Sequence, residues 1–90
     1  MKNHWIQQSK FKTRLVRLLT YDLNTCNFSI FAEHPYKEDF RYDIITCGRI
    51  DMAEVIDGSG ICLYSSTITP PMLVQPGDEF RINFAGRYSP

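Results

Sequence analysis

Alternation of apolar and polar positions runs through most of the chain. From Glu79 to Ala85 it is cleanest: Phe80, Ile82 and Phe84 share one face while Glu79, Arg81 and Asn83 share the other, the period of two of a half-buried strand. Phe40 to Ile50 reads as another, with Tyr42, Ile44 and Ile50 on one side and Arg41, Asp43 and Arg49 on the other. Asn27 to Glu33 gives a shorter one, setting Phe28, Ile30 and Ala32 against Asn27, Ser29 and Phe31. Met52–Ile56 and Ile61–Thr69 flank Asp57-Gly58-Ser59-Gly60, and a short Asp-Gly loop between two β-rich runs predicts a hairpin. Thr69-Pro70-Pro71 is expected to end its second strand, because proline brings no N–H to a ladder. Met72-Leu73-Val74 then leads into Gln75-Pro76-Gly77-Asp78, which has the Pro and Gly positions of a type II turn.

The segment before these strands is ambiguous. Between Ser9 and Leu23 the residues Phe11, Leu15, Leu18 and Leu19 fall at i, i+4, i+7 and i+8, which predicts a helix with Ser9 as its N-cap. The rival is a strand over Lys12–Tyr21 with Leu15, Leu19 and Tyr21 on one face, and the helix fits slightly better. The expected fold is therefore mainly β, or a small α+β domain. Five to six short antiparallel strands form a compact sheet, sandwich or small barrel, with an N-terminal helix over one face or mouth, since the connections are too short for parallel crossovers. Its expected core is Leu15, Leu19, Phe28, Ile30, Tyr42, Ile44, Val55, Leu63, Leu73, Phe80, Ile82 and Phe84. Ninety residues without a linker, repeat or low-complexity tract point to one domain over 1–90, with 1–9 and 86–90 frayed.

Charge changes this picture. Ten basic and ten acidic residues cancel, yet the first twenty residues hold Lys2, Lys10, Lys12, Arg14 and Arg17 with no acid, so the basic end is balanced by an acidic remainder. A neutral whole argues against a wholly cationic nucleic-acid binder. At 43% hydrophobic and 13% aromatic, the composition is that of a chain that folds. Cys26, Cys47 and Cys62 are odd in number and far apart, which fits reduced thiols. With no apolar signal-type run near the N-terminus and no stretch approaching the roughly 20 residues of a membrane helix, the expectation is an intracellular, cytoplasmic protein with no membrane contact.

The residues that carry chemistry form no recognisable set. A thiol relay would draw on Cys26 or Cys47, His34 or His4, and Asp39 or Asp43, but nothing in their spacing brings them together. Zinc would take Cys26, His34, Cys47 and Cys62, yet structural zinc sites use closely spaced ligand pairs and none is present. The carboxylates from Glu38 to Glu79 lie in expected turns or on outward faces, the positions of a solvated acidic surface. Asp57-Gly58-Ser59-Gly60 lacks the pattern of a phosphate-cradling loop. No catalytic residue, metal ligand or cofactor is assigned.

What remains is binding. Trp5, Tyr21, Tyr36, Tyr42, Tyr64 and Tyr88 exceed what a small core readily buries, and Tyr, Trp and Arg are enriched at interface hot spots. Trp5, Lys10, Lys12, Arg14 and Arg17, extended by Tyr36, Arg81, Arg87 and Tyr88, are the candidate binding residues. The expected function is a non-catalytic module that docks on another protein, in the manner of a small virus-type inhibitor or adaptor of a host macromolecular machine. Two alternatives stand beside it: a nucleic-acid-binding domain using the basic, aromatic N-terminal segment for phosphate contact and stacking, and a structural subunit of a larger assembly or a homo-oligomer paired through edge strands.

Overall fold

The computed structural model describes residues 14–88, which form six antiparallel strands in two sheets. They are β1 (Leu15–Asp22), β2 (Asn27–Pro35), β3 (Asp39–Asp43), β4 (Gly48–Ile56), β5 (Cys62–Val74) and β6 (Glu79–Asn83). A four-stranded sheet runs in the order β2-β1-β4-β5, and β3 pairs with β6 in a two-stranded ribbon. One core cluster lies between the layers. Val16 and Leu18 of β1 and Ile50, Ala53 and Val55 of β4 meet Phe40 of β3, Phe80 and Ile82 of β6, and Phe84 just beyond it. Burying each such side chain contributes about 1.5–3 kcal/mol.

No helix occurs among the described residues, so the helical reading of Ser9–Leu23 is corrected over Leu15–Asp22, while its first residues and the N-cap Ser9 lie outside them. β1 is a central strand, flanked by β2 and β4, and carries apolar side chains on both faces: Val16 and Leu18 inward, Leu15 and Leu19 outward. A strand apolar on both faces imitates helical spacing, and pairing on both edges decides the outcome.

The Asp57–Gly60 hairpin forms as expected. The Asp57 carboxylate accepts hydrogen bonds from the Ser59 hydroxyl, the Ser59 N–H and the Ile61 N–H, and the Ser59 hydroxyl leads the contacts that hold its carboxyl below the ordinary value. The type II turn also forms: Gly77 sits at φ 99°, and the Asp78 N–H donates to the Gln75 carbonyl at 3.0 Å.

Three other expectations are corrected. Phe40–Ile50 is not one strand: β3 ends at Asp43, and the chain crosses to the other sheet before β4 starts at Gly48. Pro70-Pro71 does not end β5. Met52 pairs with Thr67 and Ile50 with Met72, so residues 68–71 form a bulge opposite Asp51 that takes both prolines out of the register, Ile68 packs against the core, and the Thr69–Pro70 peptide is cis. The residues after Gly86, expected to fray, begin with an ordered turn: Gly86 at φ 79° lets Arg87 and Tyr88 donate to the Phe84 carbonyl at 2.9 and 2.8 Å, and Tyr88 is buried.

The core differs accordingly. Phe28, Ile30, Leu63 and Leu73 are exposed, and Leu15 and Tyr42 half-buried, whereas Val16, Leu18, Phe40, Ile50, Ala53, Ile56, Val74 and Tyr88 are buried without having been expected to be. Phe31 accounts for part of this. Leu18 pairs with Ala32 and Leu19 with Ile30, so Phe31 is the extra residue of a bulge that turns Phe28 and Ile30 away from the core.

Candidate functional site

Strand register arranges the outer face of the four-stranded sheet in four rows. The first joins Pro35, Leu15, Ile56 and Cys62; the second, Glu33, Arg17, Glu54 and Ser65; the third, Ile30, Leu19, Met52 and Thr67; the fourth starts with Phe28 and Tyr21. Leu19 and Ile56 are buried, yet neither belongs to the cluster between the sheets. The second row is an ion-pair ladder in which the Arg17 guanidinium meets Glu33 at 2.8 Å and Glu54 at 3.6 Å.

The end of this face beside the β1–β2 turn is its most exposed apolar part. Leu23 is 73% exposed, Phe28 46% and Ile30 53%, and Leu73, opposite Arg49 on β5, is 79%. Phe28 meets the Tyr21 ring edge-on at 5.0 Å. Arg49 is tethered there: its Nε donates to Asp51 Oδ2 at 3.0 Å, and its Nη2 donates to the Tyr21 carbonyl. The same Asp51 oxygen accepts the Tyr21 N–H at 2.8 Å and the Thr20 hydroxyl at 3.5 Å. Burial alone would raise the Asp51 carboxyl, but the Tyr21 N–H, the Arg49 hydrogen bond and charge, and the Thr20 hydroxyl together hold it below the ordinary value. An arginine fixed in this way loses less side-chain freedom when a partner covers it.

The expected binding residues do not form one patch. Trp5, Lys10 and Lys12 lie outside the described residues. Arg14, Tyr36 and Tyr88 do come together, at the edge of the core: the Arg14 guanidinium lies 5.9 Å from the Tyr88 ring centroid, and Tyr36 packs on Phe84 and Tyr88 at 5.5 and 5.4 Å. Burial, more than the neighbouring Glu38 charge, pushes the Tyr36 hydroxyl up. Tyr88 is buried, so it serves packing in this chain. Arg17 is held by its two carboxylates on the outer face. Arg81 sits on the other sheet, directly opposite Arg41, with its Nε 3.6 Å from Glu79, and Arg87 lies exposed in the last turn.

His34 stacks at 4.3 Å on Tyr42 and 6.4 Å from Phe40, and no hydrogen bond among the described residues joins it to a thiol. Cys26, Cys47 and Cys62 are free and exposed. Partial desolvation, with the adjacent Glu54, pushes the Cys62 thiol up, away from the reactive thiolate. Among the described residues no group of three or more His, Cys, Asp or Glu is placed to hold a metal ion, and no helix is long and apolar enough to cross a membrane.

The apolar end of the outer face is what sequence reasoning missed, since Phe28, Ile30 and Leu73 were assigned inward. A signal was present. Phe28, Ile30, Phe31 and Ala32 cannot all share one face at period two, so that strand needs a bulge and turns apolar groups outward. Compared with known proteins, the chain matches no family model, and no curated protein or solved structure is significantly similar to it.

Proposed function

We propose that this chain is a protein-docking module whose contact surface is the outer face of the four-stranded sheet, centred on the apolar end beside the β1–β2 turn. The observation that carries the reading is the exposure of Leu23, Phe28, Ile30 and Leu73 around a tethered Arg49 and Tyr21. Clustered exposed apolar groups with an adjacent Arg and Tyr are the composition of an interface core, whereas singly scattered ones carry no such meaning. The ion-paired row of Arg17, Glu33 and Glu54 beside it supplies a polar flank. A module of this kind acts by occupying a surface of its target, as a small inhibitor or adaptor does.

The test is affinity capture from a lysate divided into nuclease-treated and untreated halves. Docking predicts a stoichiometric protein partner that survives nuclease and is lost when Leu23, Ile30 and Leu73 are changed to serine. Capture that disappears with nuclease overturns the reading in favour of the basic N-terminal segment and a nucleic-acid partner.

A further inference from the structure

The exposed edges of the two sheets are unequal. β5 is an edge strand, but two register shifts and Pro70-Pro71 interrupt its ladder. β3 and β6 are short, and their outward positions are charged at Asp39, Arg41, Asp43, Glu79 and Arg81. These are the features that keep edges from pairing. β2 lacks them over its first four residues: Asn27-Phe28-Ser29-Ile30 contains no charge and no proline, precedes the bulge at Phe31, and is exposed throughout. Among the described residues no strand pairs with its outer side, and the complement of such an edge is another extended strand.

We infer that β2 is the edge through which two copies of this chain pair, antiparallel, about a two-fold axis at Ser29. Self-complementarity selects a second copy over a foreign strand. With the axis at Ser29, Phe28 of each copy lies opposite Ile30 of the other, both on the outer face, and a small hydroxyl occupies the axis. An axis shifted by half a residue sets apolar Phe28 opposite polar Ser29 and joins outer face to inner face, so the apolar pattern rejects it. In the chosen register Asn27 falls opposite Phe31, and the paired segment 27–31 holds no charged residue, so no like charges meet across it. The two four-stranded sheets become one, and the apolar rows on their outer faces become continuous. An interface of one strand pair lies at the small end of the range for specific complexes, so the dimer is concentration-dependent.

The experiment uses the purified full chain without a partner, so its failure is independent of whether lysate proteins are captured. Sedimentation equilibrium from about 5 µM to 1 mM is expected to show the mass rising from 10.5 kDa towards twice that value, and Ile30→Lys, which sets two like charges beside the axis, to hold the protein monomeric with an unchanged circular dichroism spectrum. With Cys26, Cys47 and Cys62 changed to serine, Ser29→Cys is expected to oxidise to a disulfide dimer at least tenfold faster than Ser65→Cys on the β5 edge. Residues facing each other on the axis of an antiparallel pair lie within disulfide reach. A monomeric mass throughout, or equal oxidation rates for the two cysteine variants, would overturn the proposal.

Discussion

Replacing Tyr88 with alanine tests whether the last turn is part of the fold. The Tyr88 side chain is 9% exposed, its ring lies edge-on to Tyr36 at 5.4 Å and tilted to Tyr64 at 6.4 Å, and Arg14 sits over it at 5.9 Å. Losing a buried aromatic ring costs about 3–5 kcal/mol in well-packed interiors. The lower end applies here, because Tyr88 sits in a turn at the edge of the core that can collapse into part of the space, leaving about 3 kcal/mol. Aromatic pairing at about 0.5–1.5 kcal/mol per contact is included in that figure. Urea denaturation followed by far-ultraviolet circular dichroism measures it. With a slope near 1 kcal/mol/M for a domain of this size, the midpoint should fall by about 3 M. Tyr88→Phe keeps the ring and its packing and should stay within about 0.5 kcal/mol of the parent. Truncation after Gly86 should reproduce the alanine loss. A cost under about 1 kcal/mol for Tyr88→Ala would refute the packing argument and return the tail to the solvent.

Two further predictions concern how the outer sheet is held. A Cβ at Gly48 would run into the Phe31 ring edge, so Gly48→Ala should cost about 1–3 kcal/mol in the same assay, and much of that loss should disappear in a Phe31→Leu background. Asp51→Asn removes the charge that Tyr21, Arg49 and Thr20 converge on, and should cost about 1–2 kcal/mol at pH 7. Its pH dependence has a definite sign: the folded-state Asp51 carboxyl is held below its ordinary value, so its stabilisation is fully present above the unfolded value near 3.8 and is lost as pH falls through the lower folded value. The gap between parent and Asp51→Asn midpoints should therefore narrow as pH falls below about 3.8, and a gap that widens there would contradict the assignment.

The legible part of the fold was the part fixed by local rules. The Glu79–Asn83 alternation, the Asp57–Gly60 hairpin and the Pro76-Gly77 turn each follow from side-chain period or glycine geometry within a few residues. What escaped depends on partners distant in the chain. β1 imitates a helix because it is apolar on both faces, and only its pairing with β2 and β4 makes it a strand. Phe28 and Ile30 look like core until the Phe31 bulge displaces them, and Tyr88 looks like a loose end until Tyr36 and Tyr64 are folded beside it. The docking face was illegible for the same reason. It is assembled from rows across four strands, each contributing one or two residues, while of the expected basic binding residues Arg17 is tied into the outer face and Arg81 lies on the opposite sheet.

The claim that the exposed apolar end of the outer face serves contact and not folding is tested most directly by changing Leu23, Ile30 and Leu73 to serine together and measuring urea stability and partner capture on the same preparation. Each is more than half exposed, so the account predicts a stability change within about 0.5 kcal/mol per substitution together with loss of the captured protein. Capture that persists unchanged on the triple variant would contradict it.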